Sequence, residues 1–387
     1  MRSENFLRQS QVFDNSTPVA NTNLVFKTNG NDYKGALHSS GNQKSSISTT
    51  LRSNPSAGKR LSSDCMSSVR ESFRCQGFSR RATKILMSSW RSGTQKQYQT
   101  YISRWFQYCD KCKIDSVSVS VKDVVEFLTE EFERGVGYSA LNTARGALSS
   151  FLRLENVPAG SHPVVIRFMK GVFNLRPCKS KYTKTWDVQN VLTYLKSLSP
   201  VKHLSLKELT LKLVMLIALT NAARSQTVHL LSVNKLIKEK SQFVVQFDSL
   251  LKQSRPGFDY SVLLLKCYPP DRRLCVYTVM KEYLSRTKKV RPSTNKKLLI
   301  SYIRPHGPVS KDTVSRWIRT VMIKSGIDVT VYGAHSVRSA STSKARDNNV
   351  PISVIMKRAG WTADSTFKKY YSLNIENDSM FENAVLQ

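Results

Sequence analysis

Acidic side chains are scarce in this chain. Its 387 residues hold 27 Asp and Glu against 60 Lys and Arg, a formal net charge of +33. That excess goes far beyond what solubility requires, and it makes the compact chain repel itself unless a polyanion neutralises it. Nucleic acid is therefore the leading partner class, ahead of the blander reading of a soluble basic protein such as a ribosome-associated factor. Long apolar runs are missing as well. The longest, around Leu211 to Leu219, is helix-core length and falls short of the roughly 18 residues that span a bilayer, so no membrane association is expected. The opening residues, Met1-Arg2-Ser3-Glu4-Asn5, lack the apolar stretch of a secretory signal. Cysteines are few: seven, irregularly spaced. An odd set of this kind argues against a disulfide framework and for a reduced intracellular compartment. Cys109-x-x-Cys112 is the one close pair, on a predicted helix with no second Cys/His pair at zinc spacing, so no metal site is expected there.

What is present organises the chain into two domains and a tail. Residues 1–76 are rich in Ser, Asn, Thr and Gly without a sustained period. Such a segment buries too little apolar surface to offset chain entropy and reads as a disordered tail. Residues 77–174 read as a helical DNA-binding domain. Tyr98, Tyr101, Ile102, Trp105, Phe106 and Cys109 form a stripe at helical spacing, with Thr94 as the expected N-cap. Ser120-x-x-Asp123 resembles a capping box opening the next helix. A third helix follows Gly137 and a fourth runs near Val164 to Phe173, which together make a compact bundle. Arg91, Lys96, Arg104, Arg134, Arg145, Arg153, Arg167 and Lys170 are its expected phosphate-facing set, a solvated face being the plain alternative. Residues 175–184, with Pro177 and several Lys and Arg, read as a basic linker lying on a polyanion.

Residues 185–387 read as the second domain. Helices are predicted over Trp186 to Leu198 and over Ser205 to Leu219, the latter so apolar that it must be central to a core. Two β-rich runs, Gln242 to Phe247 and Tyr260 to Leu265, flank Pro256-Gly257 and predict a hairpin with Lys252 near its tip. Helices return at Leu274 to Thr287 and Ser310 to Ser325, with Gly326 ending the second. The fold class is mainly α with a small antiparallel sheet, an α+β chain without internal repeats.

The chemistry-bearing residues cluster late in the sequence. An i, i+3 spacing puts His335 and Arg338 on one helix face. Arg offers a planar fork of donors matched to phosphate oxygens, and His moves protons near neutral pH. His-x-x-Arg alone is common. Here a helix with Pro351 at its first position and Gly360 at its end follows, so Trp361 is presented at a turn, where its indole N–H can point at a ligand rather than into an apolar stripe. Asp364 then caps a short helix that carries Tyr370 and Tyr371.

Taken with Ala222-Ala223-Arg224 and Lys252, these elements resemble the tyrosine recombinase (phage-integrase) family, and most of all its DIRS-like retrotransposon branch. The motifs quoted are Ala222-Ala223-Arg224, Lys252, His335-Ser336-Val337-Arg338, Gly360-Trp361 and Thr366-Phe367-Lys368-Lys369-Tyr370-Tyr371. The resemblance implies a core-binding domain and a catalytic domain forming a C-shaped clamp on double-stranded DNA. It further implies that Arg224 and Arg338 clamp the scissile phosphate, with His335 and Trp361 assisting. Lys252 is then the general acid for the 5′-oxygen, and a tyrosine attacks to give a 3′-phosphotyrosyl intermediate. No metal or nucleotide cofactor is implied, in keeping with the lack of a P-loop or a carboxylate cluster. Relatives act as homotetramers on two duplexes, often exchanging a C-terminal helix, for which Phe381 to Leu386 is the matching stretch. A nuclear location follows from substrate and charge.

Two departures from the pattern stand out. Thr227 occupies a position that is often acidic in the family. The nucleophile is also open: the commoner family spacing selects Tyr370, whereas Thr366-Phe367 matches the DIRS-like pattern and favours Tyr371. The implied function is cutting and rejoining of DNA strands for integration or recombination of a mobile element. A catalytically silent, domesticated DNA-binding protein of the same fold is the alternative, and a type IB topoisomerase shares the site chemistry.

Overall fold

The computed structural model describes residues 66–178, 182–252, 254, 256, 262–361, 365 and 367. They divide into two compact units, parting between Lys179 and Ser180.

In the first unit the described chain forms α1 (Met66–Cys75), α2 (Arg80–Met87), α3 (Ser92–Cys112), α4 (Val121–Glu133) and α5 (Tyr138–Ser149). A two-stranded ribbon of β1 (Arg153–Leu154) and β2 (Val157–Pro158) follows, and α6 (Pro163–Leu175) closes the unit. The stripe on α3 is buried at Tyr98, Ile102, Trp105 and Cys109, where Trp105 meets Phe127 of α4 edge-on at 5.3 Å between ring centroids. The Ser120/Asp123 box is complete, and the Ser120 hydroxyl and amide hold the Asp123 carboxyl below its ordinary range.

Three expectations need correction. The tail was expected to run to residue 76, yet residues 66–75 are α1, and its Met66 and Val69 are buried in this core. Two apolar anchors in a polar ten-residue helix are too few to register as a period. Thr94 is not the N-cap of α3. The helix begins at Ser92 behind Arg91, which makes no side-chain cap, because the chain reaches α3 from a turn in which Gln95 bonds the Met87 and Trp90 carbonyls. The stretch 175–184 is not a free linker throughout. Leu175 ends α6, and Tyr182 onward is packed into the second unit, as described below.

The second unit contains α7 (Val188–Ser197), α8 (Leu206–Thr220) and α9 (Ser225–His229), then β3 (Leu236–Lys238), β4 (Gln242–Gln246) and β5 (Val262–Lys266). After them come α10 (Val276–Thr287), α11 (Lys311–Lys324), α12 (Ser336–Asp347) and α13 (Ile352–Ala359). A capping box of Ser205 with Glu208 opens α8. Every residue from Leu209 to Leu219 is buried, and α9, α10, α11 and α12 pack around this helix. The apolar face cannot be one stripe because neighbours cover α8 on all sides. One of the buried residues is Lys212. Its Nζ donates to the carbonyls of Leu195 and Leu198 at 2.8 and 2.5 Å, serving the acceptors that the end of α7 leaves open.

The sheet has the order β3-β4-β5, all antiparallel. β4 and β5 pair from Gln242↔Lys266 to Gln246↔Val262. Their alternation buries Phe243, Val245, Leu263 and Leu265 and leaves Gln242, Gln246 and Lys266 on the other face with half-buried Val244 and Leu264 and exposed Val262. The predicted hairpin is therefore part of a three-stranded sheet in which β4 is central and β5 is one edge. β3 escaped notice because Leu236 and Ile237 stand only partly buried or exposed on an edge. Among the described residues, no helix is long and apolar enough to cross a membrane.

Candidate active site

The site is built on the way α8 ends. Ala222 donates its N–H to Leu219 O (3.3 Å) and Ala223 donates to Ala218 O (3.0 Å), with Ala222 left-handed at φ 44°. This is a Schellman-type stop, a position that usually takes Gly because a β-carbon there costs about 1 kcal/mol. The methyl is retained for packing: Ala222 is buried in a small cluster with Ile355, Ala359, Trp361 and Phe367. Beyond the turn, Arg224 stands half-buried as the extended residue before α9. Buried Asn221 accepts a bond from Arg358 of α13 at 3.3 Å.

Arg338 reaches the same turn from the opposite side. It is the third residue of α12 and is only 2% exposed. Its Nη1 donates to Ala222 O at 2.6 Å, and its Nη2 donates to Ala359 O at the end of α13. The guanidinium carbon lies 4.3 Å from the centroid of the Trp361 ring, within range of a cation–π contact. Arg338, the indole and the turn that delivers Arg224 thus form one assembly. His335, at the N-cap of α12, is exposed. Its spacing to Arg338 is as expected, but the two differ in burial, Arg338 being turned into the core while the cap residue is exposed.

Trp361 follows Gly360, whose φ of 68° and 5→2 bond to Lys357 O end α13 while Trp361 N–H reaches Met356 O. Trp361 follows a helix stop as expected, but it is not kept off an apolar face. The ring itself is nearly buried, at 7% exposure, and packs 5.5 Å from Phe367, so it belongs to an apolar cluster as well. Pro351 is the residue before α13 rather than its first helical position; its ψ of 136° is extended. Lys252 is exposed in the connection from β4 to β5. Its turn is pinned by buried Leu251, whose N–H donates to Ser254 Oγ (3.0 Å) while its carbonyl accepts from Ser254 N–H (2.9 Å). Thr227 is buried in α9. Tyr370, Tyr371, Asp364 and Phe381 to Leu386 lie outside the described residues.

Sequence reasoning missed the support behind α12. Trp186 Nε1 donates to Ser336 Oγ at 2.9 Å, and Ser336 Oγ donates on to Gly333 O at 2.8 Å. Gly333 N–H donates to the Tyr182 hydroxyl at 3.2 Å, and Tyr182 lies against Tyr332 with centroids 5.4 Å apart. Aromatics spaced among lysines were the available signal, masked by the charge of the segment. Replacing Trp186 with Phe keeps most of the ring and removes only the indole donor. We expect a loss of about 1 kcal/mol, read as a fall in thermal midpoint of roughly 2–4 °C. An unchanged midpoint would mean that the bond contributes nothing to holding α12.

The basic set of the first unit is also thinner than expected. Arg104 and Arg134 grip the buried Glu131 at 2.7 and 2.8 Å, an arrangement that a buried carboxylate requires. Arg145 donates to Gly160 O and Arg153 to Asn156 O. Arg167 and Lys170 stay exposed on α6.

Residues 186–377 match the model of the Phage integrase family. The chain therefore carries a phage integrase, or tyrosine recombinase, family domain over its second unit. No curated protein matches the chain. Among solved structures, the XerH site-specific recombinase bound to palindromic difH substrate, a post-cleavage complex, is similar at 14% identity and TM-score 0.53, covering 75% of this chain and 78% of that one. The XerH pre-cleavage complex gives 14% identity and TM-score 0.51 over 83% and 95% of the two chains. The Tn1549 transposon integrase in complex with transposon right end DNA gives 13% identity and TM-score 0.51 over 84% and 98%. Likeness at this level establishes the fold, mainly helical with small antiparallel sheets.

Proposed function

We propose that the protein is a DNA strand transferase that cuts and rejoins duplex DNA through a tyrosine. The observation that carries this reading is the Arg338 guanidinium, which ties Ala222 at the turn before Arg224 to Ala359 and Trp361. Two arginines and an indole donor on one assembly suit a phosphate that gains charge in its transition state. The tyrosine oxygen bonds to phosphorus and the bond to the 5′-oxygen breaks, with Lys252 supplying the proton to the departing oxygen and His335 assisting the tyrosine's proton. A free 5′-hydroxyl of another strand reverses the step. All three similar complexes named above hold difH substrate or transposon end DNA, and the charge of +33 gives the chain the same appetite. Action as a homotetramer on two duplexes, a nuclear location and a DIRS-like mobile-element origin complete the proposal.

One observation favours a second reading. Arg338 is buried and bonded to carbonyls, as it would be if the fold were kept for DNA binding alone. Nicked suicide DNA separates the two. The active enzyme accumulates a covalent protein–DNA adduct, Tyr371→Phe abolishes it and Tyr370→Phe does not. The reverse pattern would assign the nucleophile to Tyr370. Tight DNA binding without adduct in the unmodified protein would leave the binding-only reading standing.

A further inference from the structure

The sequence draws attention to Cys109-x-x-Cys112, but the fold makes a different thiol pair. Cys267 follows directly on β5, and Cys275 is the residue before α10. Their sulfurs lie 3.8 Å apart. By contrast Cys109 is buried in the first unit, and burial pushes its thiol up to about 12, which makes it inert at neutral pH.

We propose that Cys267 and Cys275 form a reversible disulfide site. Three features of the structure favour exchange there. The first is proximity: a disulfide bond needs about 2 Å between sulfurs, so side-chain rotation over less than 2 Å closes the gap. The second is access. Cys275 is itself buried at 1% exposure, and an oxidant reaches it past half-buried Cys267, which lines a cavity of about 260 Å³ with Leu192, Leu264, Tyr268 and with Leu274 and Val276 on either side of Cys275. The third is activation. Cys275 sits at the N-terminus of a helix of 12 residues, and the Tyr268 N–H donates to its sulfur at 3.3 Å. Burial opposes the thiolate, but bonds from the Thr278 side chain, the Tyr268 and Thr278 amides and Cys267 outweigh it, and the Cys275 thiol falls below its ordinary value. The Cys267 thiol is raised by its bond to Cys275 and by burial, so the two differ in the direction that makes one a nucleophile and the other a proton donor.

With hydrogen peroxide as oxidant, the Cys275 thiolate attacks one peroxide oxygen, the O–O bond breaks and hydroxide departs, leaving a sulfenic acid. The Cys267 sulfur then attacks the Cys275 sulfur, and the hydroxyl leaves with the Cys267 proton as water. Two thiols lose two electrons and the peroxide is reduced to water. The bridge would join the outgoing strand of the Lys252 connection to the helix behind it, so oxidant tone would act on the catalytic unit without touching a phosphate-binding group.

The full-length reduced protein is treated with limiting hydrogen peroxide, alkylated and digested, and its peptides are weighed. A Cys267–Cys275 linked peptide, two hydrogens lighter and reversed by dithiothreitol, is expected. In Cys267→Ser, altered at a half-buried position, the bridge vanishes and Cys275, buried in the fold, is instead trapped as a dimedone adduct when the oxidised chain is unfolded in the reagent. Phenylarsine oxide supplies a reading without oxidation: the unmodified protein binds one equivalent through the pair and Cys267→Ser does not. The proposal is overturned if both cysteines remain alkylatable at peroxide levels that oxidise exposed Cys75 or Cys112, if they bridge to other cysteines instead, or if the arsenical binds both proteins alike.

Discussion

Arg338→Ala should unfold the catalytic unit more readily as well as silence it, whereas Arg224→Ala should silence it alone. Both arginines are proposed to hold the phosphate, yet their surroundings differ. Arg338 is 2% exposed and holds Ala222 O and Ala359 O while lying over Trp361. Truncation leaves two buried acceptors without that donor and opens a cavity between α12 and α13. Relief of the guanidinium's own desolvation offsets part of this, and the net loss should be roughly 3 kcal/mol, a fall in thermal midpoint of roughly 6–12 °C. Arg224 is half-buried before a short helix, so its truncation should move the midpoint by only about 2 °C. Adduct formation on suicide DNA should fall at least roughly 10²–10³-fold in both. Arg338→Lys should not rescue stability, because a compact ammonium lacks the planar fork whose two arms reach Ala222 O and Ala359 O while its face lies on the indole. A wild-type melting curve for Arg338→Ala would remove the clamp from the account.

The second large effect concerns alkaline pH. Lys212 is fully buried, and burial lowers its pKa from 10.5 to about 8, with Asp271 opposing and Arg273 reinforcing. The unfolded chain therefore keeps this proton to higher pH than the folded one. Between about 8 and 10.5 the unfolded state binds more protons, so stability rises with pH there, and below about 8 the full penalty is present. The span corresponds to a gain on the order of 3 kcal/mol. Urea midpoints measured from pH 7 to pH 10 should climb in the unmodified protein and stay flat in Lys212→Met, which retains the stem without the charge. Parallel curves would mean that the ammonium is solvated in a way its carbonyl partners do not suggest.

Much of this was open to inspection in the sequence because local rules carry it. The apolar density of Leu209 to Leu219 marks the central helix, Ser205 and Glu208 mark its start, and alternation marks β4 and β5. The motifs around Ala222, Arg338 and Trp361 could be picked out one by one, and the fold brings these three together. Hidden from it was everything decided by contacts between distant segments. No periodicity could say that Arg338 would face inward to Ala222, that Tyr182 and Trp186 would brace α12 from a stretch resembling a linker, or that Arg104 and Arg134 would serve a buried Glu131 rather than a ligand. Lys212 reads as an interruption of an apolar run until the open carbonyls at the end of α7 are seen beside it. Cys267 and Cys275, eight residues apart, match no motif, because a strand end and a helix start bring them together.

The clamp also has a consequence for the order in which the molecule is made. Arg338 and Ala222 are 116 residues apart, and Trp186 and Ser336 are 150 apart. Contacts of that range form late, since a long loop must close before either partner gains from the other. During synthesis the turn carrying Arg224 emerges well before α12 and α13, and its left-handed alanine has nothing to pack against until they arrive. The growing chain therefore completes the assembly of Ala222, Arg338 and Trp361 only near the end of its synthesis.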